Sequence, residues 1–354
     1  MRNSIAGKLF YPLLFNQFLG NICVSIPGTD NFEIPIMQVI LGIETSCDET
    51  AAAIVADGHR ILGSAVSSQI AKHSCYGGVV PELAAREHLD SLLPVVATAM
   101  KEAKMAASDL SAVAVTNGPG LMPALLVGVN FAKGLSSAHK VPIIGVNHFL
   151  AHIYGSFLDE EPPLLADPSL YPMLALVVSG GHTALVLISS NGEARVIGHT
   201  LDDAAGEAFD KAAKLLNLGY PGGPVIEKAA TKGNPACFQF PRSLTGSTGH
   251  AHDDANRFNF SFSGLKTALL YHCRKLGGPE TLDGAPLFDT IASYQEAIVD
   301  VLCQKTFFAA RHYSAKSLVL CGGVACNNPL RQRFAETAPR GIRPFVAPKK
   351  YCTD

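Results

Sequence analysis

The sequence predicts an α/β protein built from two similar lobes with a ligand cleft between them. Three observations carry this reading. Two strand–turn–strand units with small polar tips, at 39–55 and 174–188, each open one half of the chain. In the first half a strand, a Gly-rich loop, a helix and a second strand follow in the order of an α/β unit. A segment rich in Pro, Asp and Glu, Leu158 to Pro172, separates the halves. With 354 residues and 48% hydrophobic content, the chain can bury a sizeable core in two domains. A net charge of -2 excludes the global basic footprint of an autonomous nucleic-acid binder. Nine cysteines without a CxxC pair read as reduced thiols in a cytoplasmic protein, not a disulfide frame.

Residues 1–36 do not share this pattern. Arg2 and Lys8 precede an apolar run, Leu9 to Phe15, that is broken by Pro12 and followed by Asn16 and Gln17. The run is too short to span a bilayer, and no convincing small-residue cleavage site follows it. Residues 1–36 therefore read as a dispensable or non-native extension, with Met37 a candidate natural start.

The N-terminal lobe is expected over 37–157. Val39 to Ile43 is a strand, Glu44 to Thr50 a polar turn and Ala51 to Val55 a second strand. The tip, expected to be exposed, offers backbone N–H groups and hydroxyls to a phosphate, with Thr45, Ser46 and Glu49 as candidates. It reads equally well as a plain turn. After Gly77, Gly78 and Pro81, an amphipathic helix runs through Leu83, Leu89, Leu92, Leu93 and Val96. Its stripe packs a core or, less commonly, presents a partner-binding face. Ala112 to Val115 leads as a strand into the Gly-rich loop Thr116 to Gly120, and Leu121 to Ser137 follows as a helix.

The apolar run Val141 to Val146 is a buried strand, and after Asn147 a helix begins. On that helix His148 and His152 are four residues apart and lie on one face. Two imidazoles so placed can grip one transition-metal ion. In isolation the same spacing also describes two buried, hydrogen-bonded histidines.

The C-terminal lobe is expected over 173–354. Leu174 to Val178 and Ala184 to Ile188 are strands around the turn Ser179 to Thr183, whose glycines let a ligand approach the backbone. Asp203 is positioned to cap a helix on which Gly206, Asp210 and Lys214 share a face. Tyr220 to Pro224 is a tight turn, Val225 to Ala230 a helix, and Thr231 to Asn259 a long polar loop. Within it, His250, His252, Asp253 and Asp254 imitate a metal cluster but lack a rigid element to hold one. Tyr294 to Tyr313 is a helix, and Leu318 to Cys321 is a strand that ends in a second Gly-rich loop. That loop, Gly322 to Asn328, suits a nucleotide base and sugar. Arg331, Arg333, Arg340, Arg343, Lys349 and Lys350 then cluster against one acid, Glu336. This is either an ordinary solvated surface or a phosphate-contacting one.

As an ordered set, Ile43–Thr50, Asn147–Gly155, Ser179–Thr183, Asp203–Lys211, Tyr220–Pro224, Phe260–Thr267 and Gly322–Asn327 resemble one family across residues 37 to 354. It is the TsaD (formerly Gcp) family, the tRNA N6-adenosine threonylcarbamoyltransferases. The resemblance implies the actin/sugar-kinase/Hsp70-like fold, two lobes around a nucleotide cleft. It implies transfer of a threonylcarbamoyl group from threonylcarbamoyl-AMP to N6 of adenosine 37, forming t6A in tRNAs that read codons starting with A. It places metal ligands on His148, His152 and Asp354, with Fe(II) expected and Zn(II) the alternative. The family continues past that aspartate with a small-residue helix, whereas this sequence ends on it. Substrate positions fall on Val177, Val178, Ser179, Gly180, Gly181, Asp210, Gly223, Glu227 and Asn327. TsaB and TsaE are implied as protein partners, with no membrane association. The rival readings are a metal-dependent peptidase of the O-sialoglycoprotein endopeptidase type, an ATPase or sugar kinase of the same fold, and a non-catalytic ATP-binding subunit. A HExxH peptidase carries Glu where this chain has Phe149.

Overall fold

The computed structural model describes residues 37–158, 164–245 and 255–353. The histidine-like cluster at 250–254 and the candidate ligand Asp354 lie outside the described residues, as does the 1–36 extension.

Two five-stranded sheets form the framework, and they are wired identically. In the first, β1 (Val39–Glu44), β2 (Glu49–Ala56) and β3 (Arg60–Ser68) form an antiparallel meander. Helix α1 (Pro81–Ala103) then carries the chain back to β4 (Ala112–Gly118), parallel to β1. Helix α2 (Met122–His139) carries it on to β5 (Ile143–Asn147), parallel to β4. The strand order is β3-β2-β1-β4-β5. The second sheet repeats it. Strands β6 (Met173–Val178), β7 (Thr183–Ile188) and β8 (Ala194–His199) form the meander. Strands β9 (Ser317–Cys321) and β10 (Arg343–Val346) add in parallel, giving the order β10-β9-β6-β7-β8. The same path traced twice is the duplication expected from the two opening hairpins.

Each sheet has its own core. Leu41, Ile43, Ile54, Val113 and Val115 pack the first sheet against Leu92, Val96 and Ala99 of α1. All six side chains of β6 and of β7 are buried, as suits strands covered on both faces. They pack against α4 (Ala205–Leu215), α5 (Gly222–Ala230), α6 (Ser263–Lys275) and α7 (Gly284–His312). Helix α3 (His148–Gly155) belongs to the first lobe by sequence, yet it buries Ile153 in the second core, where Phe157, two residues past its end, is also buried. It therefore ties the lobes together at the histidine pair.

Several sequence-based expectations change. Edge strands β3, β8 and β10 complete the sheets, and α7 starts at Gly284, ten residues before the expected Tyr294. The first hairpin tip is not an exposed loop. Thr45, Ser46 and Thr50 are buried because α2 and α1 close over them. Thr45 Oγ1 donates to the Ala124 carbonyl at 3.0 Å, and Thr50 Oγ1 meets His88 Nδ1 at 2.7 Å. A Cβ on Gly128 would fall 2.4 Å from Thr45 Oγ1, so this glycine makes room for the tip. Asp203 does not cap α4, whose N-cap is Ala204 without a side-chain hydrogen bond. Its carboxylate instead pairs with Lys211 Nζ at 2.6 Å, a cation also shared with Glu207. In the region between the halves, Leu164–Ala166 and Pro168–Leu170 form short turns, and Leu170 is buried.

Candidate metal and substrate site

Asn147 starts α3 at the end of β5. Its side-chain oxygen accepts from the N–H groups of Phe149 at 3.0 Å and Leu150 at 3.3 Å, a standard N-cap. His148 is thereby the first helical residue and His152 lies one turn on. Both are buried, 4% and 6% exposed, and their rings stand edge to face with centroids 4.6 Å apart.

The side chain that orients the pair comes from the first hairpin. Glu44, the last residue of β1, brings Oε2 to 3.1 Å from His148 Nδ1 and accepts from Thr116 Oγ1 at 2.6 Å. Its other oxygen accepts from the Ser46 N–H, while Ser46 Oγ lies 3.2 Å from His148 Nδ1. A carboxylate only accepts, so Nδ1 of His148 carries a proton, and in the neutral ring Nε2 is the nitrogen that keeps a lone pair. Metal-ligating histidines have this second-sphere arrangement.

The donor chemistry therefore fits a divalent transition metal: two buried imidazoles set edge to face, one held in the metal-binding tautomer by a half-buried carboxylate. Among the described residues no group of three His, Cys, Asp or Glu has metal-holding geometry, and the third ligand implied by resemblance, Asp354, lies beyond them. Residues leading to it are in place. Tyr351 and Thr353 line a cavity of about 290 Å³ together with His148, His152, Gly42 and Thr116.

The second lobe meets this centre through the turn after β6. Ser179 closes the turn on itself: its N–H donates to the His182 carbonyl at 2.8 Å, and its Oγ accepts from the His182 N–H at 3.1 Å. Gly180 and Gly181 are exposed and have nothing within 4 Å of a would-be Cβ, while the other side of Gly180 packs against Gly206 of α4. His182, within the expected motif but not among the expected site residues, places its ring 5.9 Å from His148 and 5.1 Å from Phe149. Val177 and Val178 are wholly buried, main chain included, inside the paired strand β6, so they support the turn and present no surface of their own to a ligand. The loop after β9 closes against them, since Gly322, at φ 92°, would push a Cβ to within 2.4 Å of the Val178 carbonyl.

Beyond the turn, Asp210 accepts from the Gly222 N–H at 2.7 Å, so this substrate position also anchors the start of α5. Burial pushes its carboxyl above the usual range, opposed by that hydrogen bond and reinforced by Asp48 and Glu207. Burial likewise raises the Tyr220 phenol, with Asp210, Asp48 and Cys47 adding to it. The charge of Asp48, from the first lobe, thus reaches Asp210 of the second, a neighbour that sequence alone did not single out. Gly223 is open. Glu227 Oε1 accepts from the Asn328 N–H at 3.1 Å and from the Asn328 side-chain amide. Asn327 is 6% exposed, and its side chain caps α8 (Asn328–Glu336) by accepting from the Leu330 N–H at 3.0 Å. It also donates to Gln295 Oε1 at 2.9 Å. Both side chains are therefore engaged in holding the loop that faces the cleft.

The basic segment divides. Arg331 donates to the carbonyls of Ala325 and Ala347, and Arg333 pairs with Glu296 at 2.7 Å and with Asp300. These two hold the fold together. Arg340, Arg343, Lys349 and Lys350 remain exposed.

Fold and site together define a protein of the two-lobe actin/sugar-kinase/Hsp70 class that carries a histidine pair at its interlobe cleft. The chain belongs to the TsaD family, tRNA N6-adenosine threonylcarbamoyltransferase, whose family model matches residues 60–354. A relative of that name from Syntrophus aciditrophicus is 48% identical over 318 residues, covering 90% of this chain and 89% of the relative. Another, from Anaeromyxobacter dehalogenans, is 50% identical over 320 residues, covering 90% and 91%. Among solved structures, T. kodakarensis HypF superposes with a TM-score of 0.55 at 15% identity, over 90% of this chain and 46% of that one. That likeness concerns the fold alone.

Proposed function

We propose that this chain transfers a threonylcarbamoyl group from threonylcarbamoyl-AMP to N6 of adenosine 37 in tRNAs reading codons that start with A. The observation that carries the reading is the buried His148–His152 pair, oriented by Glu44 and facing the open Ser179–Gly181 turn, in a chain of the TsaD family. In the reaction N6 attacks the carbamoyl carbon, the bond to the phosphate oxygen breaks, AMP leaves and the amine loses a proton.

An exocyclic amine is a weak nucleophile, so positioning and electrophile activation carry most of the barrier reduction. His148, His152 and Asp354 would hold one divalent metal, Fe(II) by preference or Zn(II). When bound, such an ion supplies Lewis-acid polarisation and orientation. The chain's own residues do the rest. Glu44 keeps His148 in one tautomer. The exposed backbone of Gly180 and Gly181 suits phosphate or carbamoyl oxygens, and Asp210 and the Gly223 backbone suit the ribose side. The peptidase reading loses support at Phe149, whose ring packs on His182 where a zinc peptidase would carry its general base.

Leu89, Leu93, Met122 and Leu126 are at least half exposed on neighbouring α1 and α2, which supports docking of a TsaB-like subunit there. Among the described residues no helix is long and apolar enough to cross a membrane, and a tRNA substrate suits a cytoplasmic protein.

The direct test is incubation with tRNA and threonylcarbamoyl-AMP, with TsaB and TsaE supplied, followed by mass analysis of the digested nucleosides. The expected product is t6A, and unmodified adenosine with every component present sinks the proposal. Leu93→Asp is expected to lose TsaB in co-purification while keeping its melting temperature. Retained TsaB would move the docking surface elsewhere.

Of the basic segment, the four exposed residues support phosphate contacts with the anticodon stem. Neutralising Arg340, Arg343, Lys349 and Lys350 together is expected to weaken tRNA binding and to flatten its salt dependence. Each lost phosphate contact should lower the log–log slope by about 0.7–0.9. Affinity for threonylcarbamoyl-AMP should not change. Equal slopes for wild type and variant would assign tRNA binding to another surface.

A further inference from the structure

A line of buried hydrogen bonds runs from the start of α1 to the first hairpin tip, and no step of the transfer described above uses it. Gln69, His73 and His88 are at most 3% exposed, and Thr50 is fully buried beside them. The Val80 N–H, just ahead of α1, donates to His73 Nδ1 at 3.3 Å, and His73 Nε2 meets Gln69 Oε1 at 3.1 Å. Gln69 Nε2 lies 3.3 Å from His88 Nδ1, and His88 Nε2 lies 3.0 Å from the Cys47 carbonyl.

Both ends of this line are main-chain groups with a fixed role, so its direction is determined. An N–H only donates, so His73 accepts at Nδ1 and carries its proton on Nε2, which donates to Gln69. A carbonyl only accepts, so His88 carries a proton on Nε2. The Ala84 carbonyl, 3.4 Å from Gln69 Nε2, turns the Gln69 amide the same way. Burial holds the His88 imidazole below its usual range, against the Cys47 hydrogen bond and the charges of Glu44 and Asp48, which keeps the ring neutral. Nδ1 of His88 then accepts from Gln69 and from the Thr50 hydroxyl at 2.7 Å.

The two halves of the tip are therefore held by different partners. Glu44–Ser46 is tied to Thr116, Ala124 and His148. Cys47–Thr50 is tied to His88 of α1 and to Gln69, whose N–H also donates to the Asp48 carbonyl at 3.0 Å. The segment that follows Gln69 reaches the second lobe. A Cβ on Gly77, at φ 71°, would fall 3.0 Å from Lys214 Nζ of α4. The outer half of the tip and an interlobe contact thus hang on one buried network.

We infer that His88 is a positioning residue for the transfer, a role that rests on the reading above: its bond to the Cys47 carbonyl fixes the outer half of the tip at the cleft, separately from the metal ligands. Asp48 is the side chain so placed, and its charge acts on the substrate position Asp210 and on Tyr220. A tip that shifts carries this charge with it, so donor binding should suffer while metal binding does not.

Two substitutions divide the bonds of the ring. An Asn amide overlays Nδ1, so His88→Asn keeps an acceptor for Thr50 and Gln69 and loses the donor to Cys47. A Gln amide nitrogen reaches the place of Nε2, so His88→Gln keeps that donor. The full chain carrying each is compared with the parent, with tRNA, TsaB and TsaE supplied. His88→Asn should raise KM for threonylcarbamoyl-AMP by about tenfold, leave metal affinity unchanged and speed amide exchange across 47–50 severalfold. His88→Gln should bring KM and exchange to within about threefold of the parent. A parent chain that makes no t6A with every component present sinks the transfer reading, while amide exchange still decides whether His88 fixes the tip. The positioning role is overturned if His88→Asn exchanges like the parent across 47–50, or if His88→Gln is no better than His88→Asn. Metal affinity falling together with KM overturns it equally, since His88 would then be scaffold for the whole tip. Nitrogen NMR of the histidine rings in the parent covers variants that fail to fold. Both His73 and His88 should carry their proton on Nε2 alone at neutral pH, and a proton on Nδ1 of either ring overturns the network.

Discussion

Replacing His148 and His152 together with alanine should abolish stoichiometric metal binding and reduce threonylcarbamoyl transfer by roughly a thousandfold or more. Lewis-acid stabilisation of a developing oxyanion contributes several kcal/mol. At about 1.36 kcal/mol per factor of ten, that is about three orders of magnitude. The fold should survive. Helix α3 is held by its Asn147 cap and by Ile153, which anchors it with Phe157, two residues past its end, in the second core, whereas the imidazoles line a cavity. The stability loss should stay within the 0.5–3 kcal/mol typical of single changes. Metal analysis of protein prepared anaerobically with Fe(II), and separately with Zn(II), decides the matter alongside a thermal melt. A double variant that keeps a full equivalent of either metal would sink the ligand assignment.

The parts of this site that rest on periodicity were legible in the sequence. The i, i+4 spacing after a strand and an Asn cap put both imidazoles on one helix face. The two apolar hairpins announced the duplicated sheets, because fully buried strands such as β6 read as unbroken apolar runs. The edge strands were less legible. Arg60–Ser68 mixes exposed Arg, Ser and Val with one buried glycine and shows no clean alternation. Edge strands tolerate such composition because only one side is paired.

Residue type also misleads where tertiary partners satisfy a polar group. Thr45 and Ser46 looked like an exposed tip, yet their hydroxyls find Ala124 and His148 inside the protein. Asn327, a substrate position by resemblance, also caps α8 and donates to Gln295, partners that its own sequence neighbourhood does not announce. Arg333 counted toward a basic patch until Glu296 and Asp300 of α7 were seen beside it. Each partner is distant in sequence, and no local pattern encodes it. Glu44 is the strongest example, lying 104 residues from the histidine it orients. The one signal available was a carboxylate closing an otherwise apolar strand.

Glu44 therefore yields the most discriminating variant. Its carboxylate accepts from the Ser46 N–H, from Thr116 Oγ1 and from His148 Nδ1. Glu44→Gln keeps the shape but replaces one acceptor oxygen with an NH2 donor. If that donor faces His148, the ring can satisfy it only by accepting at Nδ1, which moves the proton to Nε2 and blocks the metal-facing nitrogen. Loss of such second-sphere partners typically costs 10–100-fold in metal affinity or activity. Glu44→Gln should therefore lose metal affinity by about that factor with a nearly unchanged melting temperature. Glu44→Ala should lose both, since it strands three buried or half-buried donors at about 1–3 kcal/mol for each left unsatisfied. The comparison separates orientation from scaffolding. Metal titrations on the three proteins, each paired with a melt, give the answer. If Glu44→Gln bound metal as tightly as the parent chain, the carboxylate would be a structural hub only, and the tautomer argument would fail.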